Sequence, residues 1–207
     1  MANLLRHTNT ELCALYLYTN AIDDEGVDTL VGALANNRLN FLNLSGNRIT
    51  ARGCQSLAVL LENPMSNLEN LYLMNNNIGD EGARIFANAL TRNNKLEMLN
   101  LRNNRITAEG WSSFSKVLCD TSSINSTFRS NHTLEIFEDE YMPADVNSLL
   151  AANRSEDKTQ VAIKKIIKHH QHFDMQPFFE WDLKVLPIAV NWFERARSIQ
   201  NIDEAGV

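Results

Sequence analysis

The sequence predicts an α/β solenoid, in which a short strand and a helix alternate and successive units stack in parallel. A pattern LxxLxLxxNxIxxxG begins at Leu12, Leu39, Leu68 and Leu96, so the unit returns after 27, 29 and 28 residues, a period typical of solenoids. Within each unit, leucines first alternate with other residues as in a strand with one buried face, and after the glycine the apolar spacing becomes that of a helix. Parallel strands lie about 4.8 Å apart whereas packed helices need about 8 to 10 Å. We therefore expect a horseshoe with the strands on its inner, concave face.

The repeat also predicts the order of segments along the chain. They are a residual N-terminal helix at 1–11, four full repeats at 12–122, a degenerate repeat and joint at 123–140, and a helical C-terminal cap at 141–207. In the degenerate repeat, Ser123, Ser126 and Phe128 take the leucine positions before Asn131, and no glycine follows. The apolar column is therefore expected to end there.

The predicted cap has three helical stretches, which begin near Pro143, after Ser155 and after Pro187. Aromatic side chains are concentrated at residues 173–193, and such a density requires an apolar surface to pack on. Trp111 stands in the last full repeat where earlier copies carry smaller residues. We expect Trp111 to contact the cap.

A column of asparagines follows the predicted strands, at positions 20, 47, 76, 104 and 131. A side-chain amide there can donate to and accept from backbone groups that the turn would otherwise leave unpaired. The column therefore predicts a structural role, not a catalytic one.

Composition narrows the functional classes and the compartment. A formal charge of −6 and a pI near 5.4 argue against a nucleic-acid or anionic-membrane binder, which needs a basic surface. Cys13, Cys54 and Cys119 are few and widely spaced, which favours free thiols in a reducing compartment. No apolar run reaches the length of a signal peptide or a membrane span. The sequence predicts a cytoplasmic location, with the nucleus as an alternative.

The pattern LxxLxLxxNxIxxxGxxxLAxxL at Leu39–Leu61 resembles the ribonuclease-inhibitor type of leucine-rich repeat. The stretch ITARGCQSLAVLLENP, Ile49–Pro64, is similar to one of the two alternating repeat types of that inhibitor. The segment Phe173–Ala196 resembles the terminal segment of leucine-rich-repeat proteins of unicellular algae. The wider family implies protein recognition, as in ribonuclease inhibitors, activators of the Ran GTPase and sensor domains of immune receptors.

The candidate binding site is the set of strand positions that face away from the predicted core. Tyrosine, methionine and arginine are enriched there, as they are in protein interfaces. The alternative is that a solvated sheet face simply tolerates them. The residues that we expect to contact a protein or peptide partner are Tyr16, Tyr18, Phe41, Tyr72, Met74, Met98, Asn100, Arg102 and Arg129.

Other functions remain open at this point. Arg48 or Arg105 as an arginine finger would make the chain a regulator of a small GTPase, similar to the Ran activator. An uncapped N-terminal edge would allow copies of the chain to associate into a structural assembly. Loop charges that alternate in sign between adjacent repeats, as at Asp24 and Arg52, are expected to form ion pairs.

No motif for catalysis or cofactor binding occurs in the sequence. The run KKIIKHHQH contains an HHxH sequence that is conceivable as a metal site, but a basic helix end is the commoner explanation. The chain lacks a phosphate-binding glycine loop and a nucleophile with a matched base. The sequence therefore predicts a protein-binding scaffold that is not an enzyme and holds no metal or cofactor.

Overall fold

The computed structural model describes residues 12–34, 38–136, 139–155 and 157–170. These parts contain five strands and seven helices, which alternate through the first four repeats, as predicted. They are β1 Ala14–Tyr16, α1 Asp24–Leu34, β2 Phe41–Asn43, α2 Ala51–Glu62, β3 Asn70–Tyr72, α3 Gly79–Leu90, β4 Met98–Asn100, α4 Ala108–Leu118, α5 Ile124–Phe128, β5 Glu135–Ile136, α6 Ala144–Asn153 and α7 Lys158–His169. The chain divides after Ile163 into two compact units, and all five strands with helices α1 to α6 belong to the first.

The five strands form one parallel sheet in chain order, β1-β2-β3-β4-β5. Their central residues are in register, and the row runs through Leu15, Leu42, Leu71, Leu99 and Ile136. Each strand is followed by a helix that packs on the helix of the next repeat, α1 on α2, α2 on α3 and α3 on α4. This confirms the predicted α/β solenoid.

The leucine columns form the core between the sheet and the helices. Leu42, Leu71 and Leu99 are fully buried in the strands, and Phe86 and Phe114 are fully buried in α3 and α4. A single repeat buries too few apolar side chains to offset the backbone entropy of its length. Stability therefore comes from the surfaces between repeats.

The fifth repeat differs from the prediction. Ser123, Ser126 and Phe128 do not occupy strand positions; Ser123 caps the short helix α5, its Oγ accepting from the backbone N–H of Ser126 at 3.0 Å. The fifth strand comes later, with Leu134 and Ile136 buried in the core. It was missed because Leu134 and Ile136 are two residues apart, whereas the corresponding leucines of the full repeats are three apart.

The assignment of Asn131 to the asparagine column is consequently wrong. This residue precedes β5 instead of following a strand, and its Oδ1 accepts from the N–H groups of Thr133 and Leu134 at 3.0 and 2.8 Å. Asn93, which precedes β4, does the same for Lys95 and Leu96 at 2.9 and 2.8 Å. Asn131 is therefore the counterpart of Asn93.

Helices occur at the first two predicted places beyond the repeats, α6 directly after Pro143 and α7 after Ser155. Helix α6 packs on α4, and Ser115 Oγ of α4 donates to Asp145 Oδ2 of α6 at 3.1 Å. Trp111 is fully buried in α4, but its direct contact with the predicted cap stays a prediction. The expected N-terminal helix, the helix after Pro187 and the aromatic segment lie outside the described residues.

Candidate functional site

Buried asparagine side chains fix the ends of the strands that carry the predicted binding residues. Asn47 Nδ2 donates to Leu17 O of the preceding repeat at 2.9 Å and to Leu44 O of its own repeat at 2.8 Å. Its Oδ1 accepts from the N–H groups of Asn20 and Ile22 at 3.1 and 2.9 Å. One amide thus satisfies backbone groups of two repeats, which confirms the structural role.

Asn76 and Asn104 repeat this arrangement one and two units further along. Asn76 Nδ2 donates to Leu44 O and Leu73 O at 3.0 and 2.8 Å, and Asn104 Nδ2 donates to Leu73 O and Leu101 O at 2.9 Å each. Asn20 is exposed, and its Nδ2 donates to Tyr18 O at 2.9 Å. The amides of Asn47, Asn76 and Asn104 hold β1 to β4 at a constant offset, so that the outward side chains of these strands form straight rows.

Hydrogen bonds to aspartate carboxylates, not ion pairs between Asp24 or Asp80 and an arginine, join the loops that precede the helices. Asp24 Oδ1 accepts from the N–H groups of Thr50 and Gly53 at 2.8 and 2.9 Å, and Asp24 Oδ2 accepts from Thr50 Oγ1 at 2.6 Å. Asp80 binds the N–H and the hydroxyl of Thr107 in the same way, at 2.7 and 2.8 Å. The expectation that Asp24 pairs with an arginine of the next repeat is therefore wrong. A carboxylate placed here instead satisfies donors at the start of the next helix.

The outward positions of the sheet form three rows, which we call the strand face. Row 1 holds Ala14, Phe41, Asn70, Met98 and Glu135; row 2 holds Tyr16, Asn43, Tyr72 and Asn100; row 3 holds Tyr18, Ser45, Met74 and Arg102. Row 3 lies beyond the strands, but the backbone ladder continues there, with Leu17 N–H donating to Asn43 O at 2.8 Å and Leu44 N–H to Tyr72 O at 2.8 Å. The strand face is thus one continuous surface.

An aromatic ladder crosses the strand face from β1 to β3. The ring centroids of Tyr16 and Phe41 are 4.9 Å apart, and those of Phe41 and Tyr72 are 5.1 Å apart. Tyr16 and Tyr18 are 60% and 56% exposed, and Met74 and Met98 are half-buried at the far side. Six of the nine predicted binding residues therefore lie on one apolar surface, and Arg102 borders it.

The other two predicted site residues are placed differently. Asn100 lies in row 2 but is only 7% exposed, and its Oδ1 accepts from the N–H of Arg102 at 3.2 Å. Arg129 does not extend a row of the strand face, since it ends α5 and lies on no strand. Arg129 was expected on the strand face because the strand pattern was extended past the point where the fifth repeat changes its spacing.

Known protein families and structures resemble this chain in its repeats. The family model described as "Leucine Rich repeat" matches residues 35–58, 65–87 and 92–115, which include β2 to β4 and most of α2, α3 and α4. These three segments are leucine-rich repeats. Their ribonuclease-inhibitor subtype stays a prediction, and the segment Phe173–Ala196 lies outside the described residues.

Curated relatives of these leucine-rich repeats are large proteins. NACHT, LRR and PYD domains-containing protein 3 of Bos taurus is 37% identical over 95 residues, which are 44% of this chain and 9% of that protein. The Rattus norvegicus protein of the same name is 31% identical over 134 residues, which are 63% of this chain and 13% of that protein. The match thus spans about a tenth of the length of these relatives.

Solved structures share the fold at low sequence identity. "Leiomodin-1 Actin-Binding Site 2 (ABS2)" has a TM-score of 0.62 at 20% identity and covers 83% of this chain and 95% of that one. The tropomodulin C-terminal domain of Caenorhabditis elegans has a TM-score of 0.58 at 13% identity, with 83% and 96% covered. These similarities establish a leucine-rich-repeat fold.

The parts that the structure describes hold no candidate metal cluster. No group of three or more His, Cys, Asp or Glu side chains there is placed to hold a metal ion, and His172 of the HHxH run lies outside those parts. Desolvation, with help from Lys168, lowers the pKa of His169. Cys54 is buried in α2 and forms no disulfide. No described helix combines the length and the apolar content needed to cross a bilayer.

Proposed function

We propose that this chain is a non-catalytic scaffold that binds a protein or peptide through its strand face. The aromatic ladder of Tyr16, Phe41 and Tyr72, continued by Met74, supports the proposal most directly. Exposed rings of this kind supply contact area while losing little side-chain entropy on binding. Two tyrosines more than half exposed on a folded sheet contribute nothing to its core, which favours a role in recognition.

The experiment compares two exposed apolar positions on opposite sides of the repeats. A photo-cross-linking amino acid is placed at Tyr16, or at Val59 of α2, which is 63% exposed. Chains cross-linked in a lysate of the source cell are then identified. We expect a partner that is captured from Tyr16, not from Val59, and that is lost when Tyr72→Ala and Met74→Ala are combined. Equal capture from both positions would contradict the strand face as the site.

Actin is one candidate partner, since a structural neighbour with this fold is an actin-binding site of leiomodin-1. Co-sedimentation of the purified chain with filamentous actin tests this directly. The double variant Tyr16→Ala and Tyr18→Ala is the comparison, because it removes exposed rings without disturbing the core. Binding that the double variant retains would place actin elsewhere on the molecule.

Two other functions that the sequence suggests, regulation of a small GTPase and self-association, remain alternative proposals. Arg48 and Arg105 are exposed, and neither has an ion pair among the described residues, so both are accessible to a small GTPase. Arg48→Ala or Arg105→Ala would then lower a GTP turnover that the chain accelerates. Self-association through the β1 edge predicts a mass in solution above that of one 23.5 kDa chain. We place either function in the cytoplasm or nucleus, the reducing compartments that few and widely spaced cysteines favour.

A further inference from the structure

Apolar and amide side chains alternate along the two rows of the strand face that lie on the strands themselves. Row 2 alternates tyrosine with asparagine from β1 to β4, in the order Tyr16, Asn43, Tyr72 and Asn100. Row 1 alternates in the opposite phase from β2 to β4, in the order Phe41, Asn70 and Met98. The apolar side chains therefore zigzag between the two rows, and within a row they return on every second strand, after about 9.6 Å.

This repeat distance matches one turn of a polyproline II helix. That helix has three residues per turn and rises about 3.1 Å per residue, so its side chains return to one face after about 9.3 Å. In a β-strand the side chains of one face return after only about 6.8 Å. Positions i, i+1, i+3 and i+4 of a polyproline II peptide laid across the sheet stay within about 2 Å of β1, β2, β3 and β4. Such a peptide therefore keeps its phase with the zigzag over four strands.

The asparagines of the zigzag offer hydrogen-bond donors between the apolar side chains. Asn43 Oδ1 accepts from the N–H of Ser45 at 3.0 Å, which leaves the Nδ2 group of Asn43 to donate elsewhere. Among the residues that the structure describes, neither Asn43 Nδ2 nor the side chain of Asn70 has a hydrogen-bond partner. Both residues are only half-buried, so their donors are accessible to a ligand.

These donors distinguish a polyproline II peptide from an α-helix. Seven residues of an α-helix advance about 10.5 Å, so the apolar stripe of an α-helix also fits the zigzag. However, an α-helix pairs its own backbone carbonyls along its length, whereas a polyproline II helix leaves every carbonyl unpaired and proline supplies no N–H. Aromatic rings interleaved with amide donors therefore favour a ligand whose backbone presents acceptors.

We propose that the strand face binds a proline-rich peptide in the polyproline II conformation, laid across β1 to β4. This rests on the proposed function and adds the chemical class of the partner. Prolines three residues apart pack on Tyr16 and Tyr72, and the residues that follow them pack on Phe41 and Met98. Asn43 Nδ2 donates to a carbonyl of the peptide. Because a proline-rich peptide already holds this conformation in solution, it loses little entropy on binding.

The test uses three uncharged peptides with the same fluorescent label, whose anisotropy gives the dissociation constants with the full chain. The first repeats Pro-Pro-Ala over about nine residues, or three turns, and presents two prolines per turn to the strand face. The second repeats Ala-Ala-Pro over the same length. The third is an α-helix with one apolar stripe, held helical by a staple on its outward side. We expect the Pro-Pro-Ala peptide to bind about tenfold more tightly than either of the others, because it alone fills the zigzag and supplies free carbonyls.

Substitutions in the chain separate the packing from the hydrogen bond. Tyr16→Ala should weaken binding of the Pro-Pro-Ala peptide about tenfold, whereas Val59→Ala, at the exposed position on α2, should leave its affinity unchanged. Asn43→Asp keeps an oxygen that accepts from the N–H of Ser45 but removes the amide donor, so it should weaken this peptide about fivefold. Asn88→Asp makes the same change at an exposed position of α3 and should have no effect.

A stapled helix that binds as tightly as the Pro-Pro-Ala peptide, or equal effects of Asn43→Asp and Asn88→Asp, would each overturn the proposal. These outcomes are separable from failure of the scaffold function. If cross-linking from Tyr16 still captures a partner while the three peptides bind alike, the strand face binds proteins but does not select a polyproline II peptide. If capture is also absent, both proposals fail.

Discussion

Single residues in the turn after each strand differ in how well they tolerate the backbone that the repeat imposes. Thr19, Gly46, Asn75 and Asn103 share one position and have φ values of 55°, 67°, 57° and 56°. Glycine and asparagine adopt this left-handed region at little cost, whereas a β-branched residue is strained there. Thr19 is therefore the most strained of these four residues.

Replacing Thr19 with asparagine should raise the free energy of unfolding by about 1 kcal/mol, because the backbone strain is relieved. Urea unfolding followed by circular dichroism measures the change. Gly46→Ala is the opposite control, since it forces a side chain into the left-handed region and brings its Cβ to 2.8 Å from Thr19 Cγ2. A Thr19→Asn variant less stable than the original chain would contradict the strain argument.

The Cys54 thiol gives the stability a dependence on alkaline pH. Burial, and secondarily the Asp24 carboxylate, raises the pKa of Cys54 far above its ordinary value. The folded chain then keeps this proton while the unfolded chain loses it above about pH 8.5. The stabilisation is complete below that pH and is lost at up to about 1.4 kcal/mol per pH unit above it.

Chemical unfolding between about pH 8 and 10 should therefore show a decline in stability that is smaller in Cys54→Ala. The alanine variant starts from a lower stability, because it leaves a small cavity, so the comparison is between slopes and not between values. Cys13→Ala is the control, since Cys13 is exposed. Parallel slopes for all three chains would show that Cys54 does not retain its proton.

At the scale of elements, the aspartates that begin α1 and α3 stabilise the helices after them. Asp24→Ala or Asp80→Ala should each lower the free energy of unfolding by about 1 to 2 kcal/mol, the usual cost of a lost helix cap. Hydrogen exchange should accelerate at the Thr50 amide in the first variant and at the Thr107 amide in the second. Glu62→Gln, which removes an exposed carboxylate, should leave both amides unchanged.

The sequence predicted those elements well whose residues recur at the repeat period and make the same contact in every repeat. The leucines of β2 to β4 recur at nearly fixed intervals because each is in register with its copy in the next strand. The amides of Asn47 and Asn76 recur because each binds the backbone of the preceding repeat. Asp24 was assigned to the wrong interaction, because a carboxylate near arginines in sequence does not reveal the Thr50 amide beside it in space. The fifth strand was misplaced because α5 intervenes and the leucine spacing shortens there.

The candidate site could be predicted only in part for a related reason. Alternation along a strand shows which side chains face outward, so Tyr16 and Tyr72 were found from sequence. It does not show whether an outward asparagine folds back onto the backbone, as Asn100 does. Nor does it show that Phe41 stacks between the two tyrosines, since that contact joins residues far apart in the chain.

At the scale of the whole first unit, stability should rise from β1 towards the middle of the sheet. A solenoid is stabilised by the contacts of each repeat with its neighbours. Leu42, Leu71 and Leu99 are fully buried, but Leu15 is only partly buried, and among the described residues β1 pairs with β2 alone. We therefore expect the repeat of β1 to have the smallest free energy of local unfolding.

Native-state hydrogen exchange should detect this gradient as earlier exchange of the Leu17 amide, bonded to Asn43 O, than of the Leu73 amide, bonded to Asn100 O. Leu71→Ala should lower the free energy of unfolding by about 2 to 5 kcal/mol, because it leaves a cavity in the core. Leu15→Ala should cost less and accelerate exchange in β1 without affecting β3. If both variants instead accelerate exchange equally in every strand, the repeats unfold as one cooperative block and the gradient does not exist.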